Sequence, residues 1–179
     1  MTSQYFMPTK LVSGTGCVTE RGELMKPLGS SALIVTGARS AKASGALDDL
    51  TAALAANGQS WQVFDGAVPN PTVDSVYAGV DAVKKSGADF IAAIGGGSPM
   101  DTAKAIALAA AQNIPREALF SGAHPPLALP LVCIPTTSGT AVLWWRPETS
   151  ESRPARKCPA SCPCPRIRAK ALQTPSPGR

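Results

Sequence analysis

From residue 30 onward, short unbroken apolar runs alternate with longer stretches whose apolar residues recur every three or four positions. Residues 30–36, SSALIVT, read as a buried strand ending at Gly37, where a turn can begin. Leu47, Leu50 and Leu54 then lay an apolar stripe along a helix over 45–57, with Asn57-Gly58 as its stop. Residues 61–64 read as a second strand, 65–71 as a loop holding Asn70 between two prolines, and 72–86 as a helix striped by Val73, Val76, Val80 and Val83. A near-continuous apolar strand over 89–94, a helix over 99–111 and a strand over 129–134 interrupted by Pro130 complete the series. Alternation of this kind predicts α/β architecture, built from parallel strands joined by right-handed crossovers. Before it, residues 9–13 are expected as an edge strand and 16–28 as a short helix.

The chain has 179 residues, enough for one domain and its core but not comfortably two. Hydrophobic residues make up 44% and aromatics only 5%, the profile of an Ala-rich soluble protein. No apolar run reaches the roughly 18 residues of a membrane-spanning helix. The start, MTSQYFMPTK, lacks the charged-then-apolar order of a secretory signal, so a cytoplasmic location is expected.

The net charge of +5 suggests nucleic acid until it is divided along the chain. Residues 1–141 hold 9 Lys and Arg against 10 Asp and Glu, whereas residues 142–179 hold 8 basic and 2 acidic groups. Those 38 residues also carry 7 of the 17 prolines and 3 of the 5 cysteines, with neither helical nor alternating apolar spacing. They are expected to be a disordered tail with the composition of GC-rich coding sequence read out of frame. Cys158, Cys162 and Cys164 form C-x3-C-x-C, short of the four ligands of structural zinc, and unpaired thiols are the expectation. The tail has basic groups for nucleic acid but no helix or aromatic platform to organise them, so nucleic-acid binding is not expected.

Chemistry concentrates in Gly95-Gly96-Gly97-Ser98-Pro99-Met100-Asp101-Thr102-Ala103-Lys104, which joins the most apolar strand to a helix. Ser98 reads as an N-cap, Pro99 as the first helical residue and Asp101 as the partner in a capping-box-like arrangement. Three glycines permit positive φ and leave no Cβ to hold a ligand away, so the backbone N–H groups could cradle a phosphate. The same features describe a plain strand-to-helix turn. A second segment, Ile134-Pro135-Thr136-Thr137-Ser138-Gly139-Thr140, leaves the next strand with four hydroxyls beside a glycine. Loops leaving the carboxyl ends of parallel strands share one rim, so both would face one crevice. Alone, this cluster also reads as a self-bonding Ser/Thr turn.

GGGSPMDTAKAIA and IPTTSGT are close to signature strings of the iron-containing (group III) alcohol dehydrogenases, which the chain resembles over about residues 5–141. ALIVTGARSAKASGALDDL, VFDGAVPNPT and GADFIAAIGGGS agree in order and spacing. The resemblance implies a Rossmann-like parallel sheet flanked by helices, the N-terminal domain of the dehydroquinate synthase-like fold. It also implies NAD(P)-dependent hydride transfer between an alcohol and an aldehyde, and a homo-oligomer is possible in the intact family. By the same resemblance Gly96, Gly97 and Ser98 would touch the cofactor pyrophosphate, Asn70 would lie near the adenosine half, and Gly95 and Asp101 would also belong to the cofactor site. Thr136, Thr137, Gly139 and Thr140 would line the nicotinamide side. Gly37 stands where NAD-preferring members carry an acidic residue, and Arg39, Ser40 or Lys42 could contact a 2′-phosphate instead. NADP is therefore expected over NAD.

The family's helical second domain holds Fe²⁺, or sometimes Zn²⁺, on one Asp and three His. This sequence has a single histidine, His124, expected as a solvent-facing structural residue between Ala123 and Pro125. The expectation is thus a cofactor-binding half that cannot run the reaction by itself. The competing readings are a non-catalytic nucleotide-binding module and, behind it, nucleic-acid binding through the tail.

Overall fold

Four strands pair side by side in the computed structural model, which describes residues 9–119 and 124–137. They are β1 (Ser31–Thr36), β2 (Ser60–Phe64), β3 (Phe90–Gly95) and β4 (Leu131–Pro135), all parallel, in the spatial order β2-β1-β3-β4. The connections contain α1 (Cys17–Glu20), α2 (Ser40–Ala43), α3 (Ala46–Asn57), α4 (Val73–Ser86) and α5 (Gly97–Gln112), with 3-10 turns at Gly22–Leu28 and Arg116–Ala118. The α/β alternation of the sequence is borne out as a parallel sheet flanked by helices.

Successive residues of a strand point to opposite faces, and each face here has its own core. Leu33, Val35, Ile91, Ala93 and Cys133 meet Val76, Val80, Met100 and Ile106 of α4 and α5. Ala32, Ile34, Phe90, Ala92 and Ile94 meet Leu50 and Leu54 of α3 and Met25 of the first 3-10 turn. β3 lies between β1 and β4 and is buried at every position, which explains why it reads as an unbroken apolar run. Gly79 lets α4 approach α5 closely, because a Cβ there would overlap Ile106 Cδ1.

The chain steps from β1 outward to β2, then crosses back to β3 on the other side of β1. The segments leaving the carboxyl ends of β1 and β3 therefore run to opposite faces and open a crevice between them. The opposite edge of the sheet is clasped by Asp89. Its carboxylate accepts from Ser30 N at 2.8 Å, Ser30 Oγ at 3.0 Å and Ser31 N at 2.9 Å, tying the start of β1 to β3. Burial pushes this carboxyl up, but the donors from Ser30 and Ser31 outweigh it and hold the group below the ordinary carboxylate value. A lowered folded pKa contributes stability above the unfolded value that is lost as pH falls through the folded one. Acid titration of unfolding should show the wild type losing stability below about pH 4, with that component missing in Asp89→Asn. Identical pH profiles for the two proteins would remove Asp89 from the account.

Three expectations about the elements need correction. Residues 9–13 form no strand, since none of the four strands pairs with them, and Leu11 and Val12 are exposed. The helix expected over 16–28 is split at Arg21, and Gly22 packs so closely on α3 that a Cβ would lie 2.9 Å from Ala53 Cβ. Gln59 Nε2 donates to the carbonyls of Met25 and Gly29, at 3.0 and 2.6 Å, and secures this segment. The third correction concerns the start of α5.

Candidate functional site

α5 begins two residues before the position expected from Ser98. Its N-cap is Gly96, in extended conformation with no side-chain cap, so Ser98 lies inside the first turn and Pro99 is the third helical residue. Ser98 is not the cap and Asp101 closes no capping box. Asp101 is instead exposed and pairs with Lys104 Nζ at 3.1 Å. A capping box does form in the chain, at α4, where Thr72 and Ser75 exchange backbone and side-chain bonds.

The early start changes what the turn offers. Gly95 ends β3 with φ +146°, a conformation L side chains rarely take, and redirects the chain from strand to helix. The first four N–H positions of a helix have no intrahelical acceptor. Here they belong to Gly96, Gly97, Ser98 and Pro99, and Pro99 has no N–H. Three consecutive amides therefore head the helix with no side-chain cap, at the positive end of a 16-residue macrodipole.

The loop after β4 stands against this turn, as the shared-rim argument requires. Thr136 N donates to Gly95 O at 2.9 Å, and a Cβ on Gly96 would lie 3.3 Å from Thr137 Oγ1. Thr136 Oγ1 is buried and has no hydrogen-bond partner, although buried hydroxyls are normally satisfied. Gly37 also reaches the start of α5, since a Cβ there would meet Pro99 Cγ at 3.6 Å and Ala67 O at 3.7 Å. Arg39 and Lys42 are exposed just beyond it, and Ser40 opens α2, a helix the sequence did not suggest. Asn70 is exposed in the loop before α4 with φ +56°. Gly139 and Thr140 lie outside the described residues, as does the tail from 142.

Two further residues with potentially reactive side chains lie in or near the core. Burial, only partly offset by Lys104, pushes the Cys133 thiol up to about 11, with Asp101 adding to the rise, which disfavours the thiolate. His124 is half-buried rather than solvent-facing, with Nε2 3.1 Å from Leu119 O, a distance at which an N–H donates to that carbonyl. No three His, Cys, Asp or Glu side chains gather at one point among the described residues. Sequence reading passed over Thr102, which is fully buried with its hydroxyl donating to Ser98 O at 2.8 Å. Its signal, a Thr four residues after a turn residue, is too common to stand out.

A family model described as iron-containing alcohol dehydrogenase matches residues 8–145. The chain belongs to the iron-containing alcohol dehydrogenase family. Lactaldehyde reductase of Escherichia coli K12 is 40% identical over 134 residues, covering 72% of this chain and 34% of that protein. The probable NADH-dependent butanol dehydrogenase 1 of Bacillus subtilis is 37% identical over 137 residues, 76% of this chain and 35% of its own. Among solved structures, an iron-containing alcohol dehydrogenase superposes with TM-score 0.73 at 37% identity, covering 78% of this chain and 39% of that one. An iron-containing alcohol dehydrogenase from Thermotoga maritima gives TM-score 0.69 at 38% identity, over 76% of this chain and 38% of its own. The chain thus spans about a third of the length of the curated relatives it matches and corresponds to the N-terminal portion of the iron-containing alcohol dehydrogenases. No helix among the described residues is long and apolar enough to cross a membrane.

Proposed function

We propose that the described residues form the cofactor half of an NAD(P)-dependent alcohol dehydrogenase site, with a nicotinamide dinucleotide lying across the carboxyl edge of the sheet. The observation that carries this reading is the start of α5 without a side-chain cap, with Thr136, whose buried hydroxyl has no partner, bonded through its amide to Gly95 at the same turn. A diphosphate needs several convergent donors and no side chain in its way, and the amides of Gly96, Gly97 and Ser98 meet both requirements. When bound, the cofactor supplies the nicotinamide carbon that accepts or donates hydride.

The chain's own residues bind and orient it. The α5 amides hold the pyrophosphate, with Gly95 turning the backbone toward it, and Asn70 lies on the adenosine side. Thr136 and Thr137 face the nicotinamide half, where the resemblance also puts Gly139 and Thr140. Asp101, exposed and paired with Lys104, stands at the outer end of the same turn. The family's metal is not built from the described residues, and the 179-residue sequence holds one histidine. The proposal therefore assigns cofactor binding to this chain and leaves substrate activation to residues of the family's second domain.

Titration of the purified chain, followed by nicotinamide fluorescence, should give saturable NADPH binding and no NADPH formation from NADP, an alcohol and Fe²⁺. Absence of NADPH and NADH binding would overturn the assignment, and metal-dependent turnover would overturn the half-site reading. Gly37 leaves no carboxylate to repel a 2′-phosphate, with Arg39 and Lys42 close by in sequence, so NADPH should bind more tightly than NADH. Since a Cβ at position 37 meets its neighbours at ordinary contact distance, Gly37→Asp should fold. It should shift the NADPH-to-NADH affinity ratio toward NADH by about tenfold. NADH bound at least as tightly as NADPH by the wild type would end the NADP preference.

A further inference from the structure

Thr36, Gln59 and Thr102 are buried polar residues among the described residues, and Thr36 and Thr102 hold backbone carbonyls at the crevice rim. Gln59 serves the N-terminal segment on the far side of the sheet. Thr36, the last residue of β1, donates its hydroxyl to Gly37 O at 3.0 Å. Thr102, with no exposed surface, donates to Ser98 O at 2.8 Å.

We propose that Thr102 is a positioning residue for the cofactor cradle: its buried hydroxyl pins the Ser98 carbonyl and thereby orients the amides that receive the pyrophosphate. The proposal rests on the cofactor reading above. The first turn of α5 needs such a restraint for three reasons found in its own residues. Gly95, Gly96 and Gly97 leave the approach to the helix with the greatest backbone freedom of any residue type. No side chain caps the N-terminus. Pro99 supplies no N–H that could anchor the turn.

Ser98 O belongs to the peptide unit directly after the last cradle amide, so holding it restrains the Ser98 ψ angle and, through it, that amide. The anchor is firm because Thr102 is itself wholly buried, on a helix whose Met100, Ala103 and Ile106 are also buried to 1% exposure or less. A Ser/Thr bond to the carbonyl four residues back normally bends a helix slightly. Placed in the first turn, the bond acts on the backbone that carries the amides heading α5.

The test compares Thr102→Val, which keeps shape and burial but lacks the hydroxyl, with Thr102→Ser, which keeps the hydroxyl. NADPH affinity is read by fluorescence titration, thermal stability by melting, and first-turn order by hydrogen exchange at the Met100, Asp101 and Thr102 amides. The Val variant should bind NADPH about threefold to tenfold more weakly, exchange these amides faster and melt close to wild type. The Ser variant should stay near wild type in affinity and exchange. Unchanged affinity and exchange in the Val variant, or equal weakening in both variants, would overturn the proposal, since the second result indicts the methyl group and not the hydroxyl. If the wild type binds no NADPH, the cofactor reading fails and this proposal with it as a cofactor device. The exchange data would then still decide whether the hydroxyl orders the turn.

Discussion

Gly96→Val is expected to cost at least about 100-fold in NADPH affinity, or about 2.7 kcal/mol, with the fold intact. The backbone of Gly96, φ −88° and ψ −156°, lies outside the left-handed region reserved for glycine, so backbone strain is not the main source of the loss. The effect comes from space. A Cβ there already lies 3.3 Å from Thr137 Oγ1, and the two methyls of Val would project into the gap between the two loops, where the pyrophosphate is proposed to lie. Fluorescence titration gives the affinity and far-UV circular dichroism confirms the fold. Wild-type NADPH affinity in a folded Val variant would take the glycine turn out of the binding site.

The largest effect on stability belongs to Phe90→Ala, with an expected destabilisation of about 3–5 kcal/mol. Phe90 is wholly buried on β3, among Ala32, Ile34, Leu50 and Leu54 on the α3 side of the sheet. Its neighbours on β1 are small or β-branched, Ala32 beside it and Ile34 beyond, and cannot extend into the space the ring leaves. Domain stabilities are typically about 5–15 kcal/mol, so the variant should lose a large share of the folded state's margin. Urea denaturation should show a much lower midpoint at unchanged slope. A loss under about 1 kcal/mol would mean that α3 and the first 3-10 turn close over the cavity.

The strands and long helices were legible because burial imposes periods that survive in a single sequence. The unbroken run before Gly95 reads as a buried strand, and the valines at 73, 76, 80 and 83 as one side of a helix, and both elements form there. Local chemistry was less legible where two signals competed. Ser98-Pro99 is a sound helix start by side-chain preference, yet the helix begins at Gly97 because Gly95 turns the chain early enough for Gly96 to serve as the cap. The four-residue α2 left no periodic trace, being too short to show an apolar stripe.

By itself, then, the sequence determined the alternation of strand and helix, the two small-residue turns and the resemblance that names the family, all of which depend on residues close together along the chain. The tertiary structure alone decided the strand order β2-β1-β3-β4, and with it that the segments after β1 and β3 part to open a crevice. It also decided that Gly96 stands against Thr137, that Asp101 turns outward to Lys104, and that Thr102 reaches back to Ser98 from the interior. Such contacts depend on how whole elements pack and on which polar groups lose water when they do, and no local pattern encodes that.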